Sequence, residues 1–197
     1  MTGTERRQQL LTVARAVFAE KGFDGASIEE IAHRANVSKP VVYEHFGGKE
    51  GVYAVVVDRE TEALLERMVS TLHGGHPRAM LEQAAEALLG YVEDSHDGFR
   101  ILVRDSPVAS STGTFSTLLN DIASQVEHIL GQQFAARGYD ESLAALYAQA
   151  LVGMVALTGQ WWLDARKPER EEVAAHLVNL AWNGLSHLEE KPTLRLS

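Results

Sequence analysis

Apolar residues recur three or four positions apart along most of the chain, and this spacing predicts amphipathic helices rather than strands. The first such stretch covers residues 5–21 and ends at the stop signal Gly22. Its apolar side carries Leu10, Ala14, Val17 and Phe18. A shorter helix is expected after Ser27, because Ser27 and Glu30 have the spacing of a capping box.

A tight turn and a third helix are predicted next. Asn36 tolerates a left-handed backbone, and Ser38 is a favoured helix N-cap. Pro40 suits the first turn of a helix, where its missing N–H costs nothing, and the glycines at 47–48 end the helix near Phe46. Two short helices joined by a tight turn therefore follow the first helix.

Helical spacing continues to the end of the chain. Further helices are predicted at about 49–72, 77–93, 99–104, 115–137, 141–165 and 168–188. The fold class is therefore all-α. We expect an N-terminal three-helix helix-turn-helix head at residues 1–48 and a C-terminal helical domain at residues 49–197.

Charge is distributed unevenly between these two parts. The chain has a formal net charge of −9, yet residues 1–50 contain equal numbers of basic and acidic side chains. All of the net charge therefore lies in the remainder. A neutral head on an acidic body is compatible with nucleic-acid binding by the head, because negative charge away from the groove does not prevent local phosphate contacts. The same negative charge limits non-specific DNA binding.

Composition also bounds the location of the protein. The chain has no cysteine, which suits a reducing cytoplasm, and its N-terminus has no apolar signal-peptide core. Residues 142–163 carry no charge and could span a bilayer by length. Glutamines, a threonine and two glycines interrupt them, so we expect a helix in a bundle or at a subunit interface, and no membrane association.

The third predicted helix carries candidate DNA-binding chemistry on its outer side. Val42 and Phe46 would face the core, which leaves Lys39, Tyr43 and His45 outside. Lys39 could reach a phosphate or a guanine edge, and Tyr43 and His45 suit phosphate oxygens. Such a short helix after a tight turn has the geometry of a recognition helix in a major groove. The alternative is an ordinary solvated polar face.

The segment IEEIAHRANVSKPVVYEHFGGKEGVY resembles the helix-turn-helix of TetR-family transcriptional regulators. This resemblance implies a homodimeric, ligand-responsive regulator, most often a repressor, that binds a palindromic operator in double-stranded DNA. It also implies which residues line the DNA. These are Ser27, Ser38, Lys39, Pro40, Val41, Tyr43, His45 and Lys49.

Two residues depart from the family pattern. Asn36 stands where glycine is common, and it should be tolerated because asparagine visits the left-handed region readily. Glu44 places a carboxylate on the DNA side, where it either accepts a bond from a cytosine amine or swings away. Glu44 also supports the competing hypothesis, a helical dimeric adaptor without sequence-specific DNA binding.

The resemblance further implies a dimer formed by the last two long helices. Apolar and small residues that recur at helical spacing there are Val173, Leu177, Leu180, Ala181, Gly184 and Leu188. It also implies an effector pocket among the preceding helices, for which apolar and aromatic candidates are Leu81, Leu88, Phe99, Phe115, Leu118, Ile122, Met154 and Trp161. Both sets also fit a plain core.

The C-terminal part, including LVGMVALTGQWWLDARKP, resembles actinobacterial regulators of fatty-acid metabolism. Long-chain acyl-CoA is therefore the leading effector candidate, and a drug-like hydrophobic compound or another metabolite is the alternative. The sequence contains no nucleophile elbow, P-loop or dinucleotide fingerprint, so we expect neither enzyme activity nor a cofactor. His73 and His76 flank two glycines without a third ligand nearby, so no metal site is expected.

Overall fold

The computed structural model describes residues 2–71, 75–104, 115–189 and 192–193, with the backbone alone at 115 and 116. Within these ranges the regular structure is helical. The α-helices are α1 (Gly3–Gly25), α2 (Ile28–Arg34), α3 (Lys39–Phe46), α4 (Lys49–Thr71), α5 (Pro77–Asp94), α6 (His96–Val103), α7 (Phe115–Arg137), α8 (Ala144–Ala165) and α9 (Arg170–Ser186). The predicted all-α class is confirmed, and most predicted boundaries lie within a few residues.

Helix α1 is longer than predicted at both ends. Thr2 and Glu5 form a complete capping box, so the helix begins at Gly3 rather than at residue 5. Gly22 interrupts it with a φ of 72°, a conformation in which glycine has no steric cost, and a last turn follows to Gly25. The predicted stop at Gly22 is therefore a kink within the helix.

The chain packs as two compact units. The first comprises residues 1–67 and 91–116, and the second comprises residues 68–90 and 117–197. The predicted boundary at residue 48 concerns which part binds DNA, and it stays a prediction. The first unit contains α1, α2, α3 and α6 together with most of α4 and the end of α5.

The core of the first unit forms around α1, which packs against both α2 and α6. Leu10, Ala14 and Val17 are fully buried, as the apolar spacing of α1 predicts. The ring of Phe18 packs edge-on against Tyr53 at a centroid distance of 4.9 Å. This core holds α2 against α1, and α3 packs on α2.

The second unit contains α7, α8 and α9 with the first part of α5. A short 3-10 helix, Glu141–Leu143, precedes α8, so the α-helix begins three residues later than predicted. Asp140 caps this turn by accepting a hydrogen bond from the Ser142 N–H at 2.9 Å. Trp162 is buried, and its indole N–H donates to the Pro168 carbonyl at 2.8 Å.

The segment Glu141–Ala165 is long and apolar enough to cross a membrane by length and composition. Core helices of soluble proteins pass the same test, and 22% of its most apolar window is buried within the chain. Much of the apolar surface of α8 is therefore open in a single chain.

Candidate nucleic-acid interface

The turn between α2 and α3 is built as the sequence predicts. Asn36 adopts a left-handed backbone with a φ of 53°, which confirms its predicted role. The Val37 N–H donates to the Ala32 carbonyl at 3.0 Å and so closes the end of α2. Ala35 is 1% exposed, so the turn is anchored in the core, and α3 starts in a fixed direction.

Helix α3 begins after Ser38 and ends at Gly47. Ser38 occupies the N-cap position with an extended backbone, but its side chain makes no capping hydrogen bond. Gly47 has a φ of 75° and donates its N–H to the Tyr43 carbonyl, which is the left-handed helix end that glycine favours. Val42 is fully buried, whereas Phe46 is only half-buried.

Most of the predicted DNA-binding residues lie on the open side of this motif. Ser38, Lys39, Pro40 and Tyr43 are exposed, as is Glu44. The remaining members are half-buried, and they are Ser27, Val41, His45 and Lys49. Tyr43 is 53% exposed, so more than half of its surface is open to solvent. DNA contact by these residues stays a prediction.

Lys39 forms an ion pair with Glu29, which lies in the first turn of α2. The hydrogen bond from the Lys39 ammonium is the largest cause that lowers the pKa of Glu29 below its ordinary value. Both side chains are more than half exposed to solvent. In the free protein the charge of Lys39 is therefore balanced locally, and a phosphate would have to compete with Glu29 for it.

Lys49 lies where the head meets α4. Its ammonium donates to the carbonyl oxygens of Phe23 at 2.9 Å and Ala26 at 3.2 Å. The same ammonium lies 4.3 Å from the centroid of the Phe23 ring, which adds a cation–π contact. Lys49 therefore fixes the last turn of α1 and Ala26 to the start of α4, and a phosphate contact by Lys49 stays a prediction.

Two side chains of α1 donate hydrogen bonds to the C-terminal ends of α2 and α3. The Arg7 guanidinium donates to the His45 carbonyl at 2.6 Å and lies 4.3 Å from the centroid of the Phe46 ring. The Gln9 side chain donates to the Ala35 carbonyl at 3.1 Å. A cation at the C-terminus of α3 also complements the helix dipole. Sequence reasoning missed both residues, because their partners are remote in sequence.

The predicted capping box at the start of α2 forms only in part. Ser27 accepts a hydrogen bond from the Glu30 N–H at 3.2 Å, as expected. The Glu30 carboxylate does not return to Ser27, because it pairs with Lys21 at 2.7 Å and with Arg34 at 2.6 Å. Glu30 therefore links α2 to α1 instead of closing the cap.

The residues predicted for an effector pocket are divided between the two units. Phe99 belongs to the first unit, where it is fully buried and packs against Tyr91. The second unit contains Leu81, Leu88, Leu118, Ile122, Met154 and Trp161. Leu88 and Leu118 are buried there, whereas Trp161 is 57% exposed. The prediction for Phe115 lies outside the described side chains.

Two cavities occur elsewhere in the described structure. One, of about 210 Å³, lies within the first unit. It is lined by Phe18, Lys21, Gly22, Phe23, Asp24, Tyr53, Ile101 and Arg104. The other, of about 170 Å³, lies in the second unit. It is lined by Phe134, Gly138, Tyr139, Asp140, Leu143, Tyr147, Leu188 and Glu189. The predicted pocket residues line neither, and the pocket stays a prediction.

The residues predicted for a dimer interface face two directions on and beyond α9. Val173, Leu177 and Ala181 are at most 8% exposed within the single chain. Leu180 is 64% exposed, Gly184 is also exposed, and Leu188 is half-buried after the helix. Only Leu180 and Gly184 of this set are therefore fully open to a partner chain.

Of the two histidines that flank the 74–75 glycine pair, His76 lies in the described part of the chain. His76 packs against Trp182 at a centroid distance of 5.3 Å, and its Nδ1 accepts a hydrogen bond from the Arg78 N–H. His73 lies outside the described residues. The described position of His76 is explained by these contacts.

Comparison with known proteins identifies both parts of the chain. Residues 10–56 match the family model described as bacterial regulatory proteins of the TetR family. Residues 77–184 match the model described as a tetracycline-repressor-like C-terminal domain. The two matches cover the helix-turn-helix described above and most of the second unit.

Individual relatives agree with these matches. The transcriptional activator FasR of Mycolicibacterium smegmatis is 32% identical over 194 residues, which cover 93% of this chain and 84% of FasR. The structure of a TetR-like regulator from Rhodococcus superposes with a TM-score of 0.77 at 28% identity, and the superposition covers 92% of this chain and 96% of the Rhodococcus chain. The fatty acid degradation regulator FadR of Bacillus halodurans shares the fold, with a TM-score of 0.74 at 17% identity over 93% of this chain and 97% of FadR. The chain therefore belongs to the TetR family of helix-turn-helix DNA-binding transcriptional regulators.

Proposed function

We propose that this regulator binds a palindromic operator as a homodimer and that a hydrophobic effector releases it. The observation that carries the DNA-binding part is the outer side of α3, where Lys39, Pro40 and Tyr43 are exposed on a helix with both ends fixed. A rigid helix that presents polar groups near its N-terminus fits a major groove. The relatives include FasR, named an activator, and AcnR of Corynebacterium glutamicum, named a repressor. Repression remains our expectation for this chain.

Each residue of this surface has a specific role in the proposal. The hydroxyl groups of Ser38 and Tyr43 donate to phosphate oxygens, and Lys39 leaves Glu29 to bind a phosphate or a guanine edge. Pro40 and Val41 offer apolar contact to a thymine methyl group. Ser27, His45 and Lys49 are less accessible, so they contribute at the edges of the contact.

Selection from a pool of genomic fragments tests DNA binding. We expect retention of a palindromic sequence with half-sites about 34–36 Å apart, and an affinity that falls steeply with salt. Tyr43→Phe and Lys39→Ala should each weaken binding. Only Lys39→Ala should also lower the salt dependence, by about one phosphate contact, because the Tyr43 hydroxyl is uncharged. Lys167→Ala, an exposed lysine of the second unit, is the matched control. Sequence-blind binding by the wild type would favour the adaptor hypothesis instead.

The homodimer is supported by open apolar residues of the second unit. Leu146, Leu157 and Trp161 on α8 and Leu180 on α9 are each more than half exposed. Apolar surface of this kind favours association because burial removes it from water. We expect a dimer by light scattering for the wild type and a monomer for Leu157→Glu. Gln125→Glu, on the exposed side of α7, should leave the dimer intact. A dimeric Leu157→Glu would remove α8 from the interface.

The hydrophobic effector is supported by the composition of the second unit, where Leu81, Ile122 and Met154 are only half-buried. Long-chain acyl-CoA is the proposed ligand, and the drug-like compound is the alternative. Palmitoyl-CoA should displace the protein from its operator, whereas free CoA should not. Displacement by neither palmitoyl-CoA nor shorter acyl-CoAs, with operator binding intact, would exclude acyl-CoA as the effector.

A further inference from the structure

A charged cluster around the buried Glu60 lies in the first unit, away from the DNA-facing side of α3, and its Arg15 side chain is about one-third exposed. Glu60 of α4 is 8% exposed, and its carboxylate accepts a hydrogen bond from the Arg15 Nε of α1 at 2.6 Å. The hydroxyl of Tyr91, at the end of α5, donates to the same carboxylate at 2.7 Å. Three helices therefore converge on one buried charge.

The geometry around Glu60 leaves it little freedom. The Tyr91 hydroxyl lies 3.2 Å from the backbone carbonyl of Glu60 as well, so it contacts both ends of this residue. Burial is the largest cause that raises the pKa of Tyr91 well above its ordinary value, and the adjacent carboxylate adds to it. Tyr91 is therefore a neutral donor. A buried charge with two donors is stable only while both stay in place.

Helix α6 completes the cluster with a glycine. A Cβ atom at Gly98 would lie 1.8 Å from Oε2 of Glu60 and 2.8 Å from Nη2 of Arg15. A methyl group here would force the carboxylate or the guanidinium to shift, because real contacts of this kind exceed about 3.3 Å. The backbone of α6 therefore packs directly on the ion pair. Arg104, at the end of α6, also donates to the Ala19 carbonyl of α1 at 2.9 Å.

We propose that Arg15 and Glu60 are positioning residues for operator binding, because their ion pair, set by Tyr91 and Gly98, fixes α1 against α4 and α6. Helix α1 in turn holds α2 and α3 through Arg7 and Gln9. The cluster therefore determines where α3 lies without touching DNA. This inference rests on the proposed function and adds residues outside the DNA-facing surface.

A double-mutant cycle between α4 and α6 tests the proposal. Gly98→Ala should lower operator affinity about tenfold, because the added methyl group displaces the ion pair. In a Glu60→Ala background the same change should have almost no further effect, since the atoms that it meets first are gone. Gly131→Ala, where the new Cβ would have an ordinary 4.0 Å contact, is the matched control.

Arg15 supplies a second test that does not depend on the stability of Glu60→Ala. Arg15→Met should weaken operator binding, and Arg15→Lys should restore part of the loss because an ammonium can still reach Glu60. Binding is measured at temperatures where each variant is fully folded. Wild-type affinity in Gly98→Ala with only a lower Tm, or additive effects in the cycle, would overturn the proposal.

Hydrogen exchange separates this inference from the proposed function. If the wild type retains no genomic fragment, the proposed function fails on its own. The cluster is then tested on the free protein, where Gly98→Ala should raise backbone amide exchange in α1, α2 and α3 relative to the wild type and to Gly131→Ala. Unchanged exchange in those helices would overturn the role of the cluster in positioning the head.

Discussion

Replacement of Gly51 by alanine should weaken operator binding more than it lowers stability. Gly51 lies in the first turn of α4, and an added Cβ would lie 1.9 Å from the backbone carbonyl oxygen of Phe46. A carbon–oxygen contact normally exceeds about 3.3 Å, so the two atoms must separate by roughly 1.4 Å. The obstacle is backbone, and it cannot rotate away. Helix α3 must therefore move relative to α4.

Two effects of opposite sign determine the stability of Gly51→Ala. Overpacking costs about 1–3 kcal/mol, whereas alanine in place of glycine within a helix contributes about 1 kcal/mol. The net loss is therefore about 0–2 kcal/mol. For a chain of this size each kcal/mol lowers the Tm by about 2–4 °C. The expected Tm change is only a few degrees.

Operator affinity should fall about tenfold or more, because one lost base contact costs about 1–3 kcal/mol. Fluorescence anisotropy with a labelled operator measures the affinity, and thermal melts of the same samples measure the Tm. Gly131→Ala is again the control, since its Cβ meets no close atom. Wild-type affinity in Gly51→Ala would refute the reasoning that the α3–α4 junction sets the position of the DNA-binding surface.

Further changes test separate features of the molecule. Glu29→Gln removes the ion-pair partner of Lys39. We therefore expect it to bind non-operator DNA severalfold more tightly in filter-binding assays. An unchanged affinity would mean that Glu29 and phosphate do not compete for this lysine. At Gly184 an added Cβ would meet no atom within 4 Å in the single chain, so Gly184→Ala should raise the Tm of the monomer. Where α9 packs closely against a partner chain, the same change should weaken dimer association, which sedimentation measures. The hydrogen bond from Lys21 is the largest cause that lowers the pKa of Glu30 below 4.5. The stability that ionised Glu30 contributes is therefore present above that value and lost as the pH falls below it. In urea melts, the free energy of unfolding of Glu30→Gln should therefore fall less at acid pH than that of the wild type.

Local features of the fold could be predicted from the sequence because their causes are local. The left-handed turn at Asn36 and the end of α3 at Gly47 depend on the residue at that position. The start of α1 at Gly3 is also encoded locally, because Thr2 and Glu5 have the spacing of a capping box. A prediction that follows apolar spacing alone places this start at residue 5, which is too late. Helix ends of this kind depend on a few adjacent residues.

Long-range contacts could not be predicted in the same way. Arg7 and His45 are 38 positions apart, and Arg15 and Glu60 are 45 apart, so neither pair has a sequence pattern. The sides of α9 were equally ambiguous, because Leu177 and Leu180 are both leucine although one is buried and the other is open. Apolar spacing identifies an amphipathic helix, but a helix that is apolar on two sides needs its neighbours to show which side faces the core.

The three tryptophans provide the second unit with its own spectroscopic signal. All three lie in residues 117–197 of the second unit, and they are Trp161, Trp162 and Trp182. Intrinsic tryptophan emission therefore reports on the second unit and not on residues 1–67. Trp161 is 57% exposed and Trp162 is 2% exposed, so a soluble quencher such as acrylamide distinguishes the two adjacent indoles. Association through α8 would shield Trp161, whereas Trp162 is already buried. Dilution of the unlabelled protein with quencher present can therefore follow dimer dissociation without a probe.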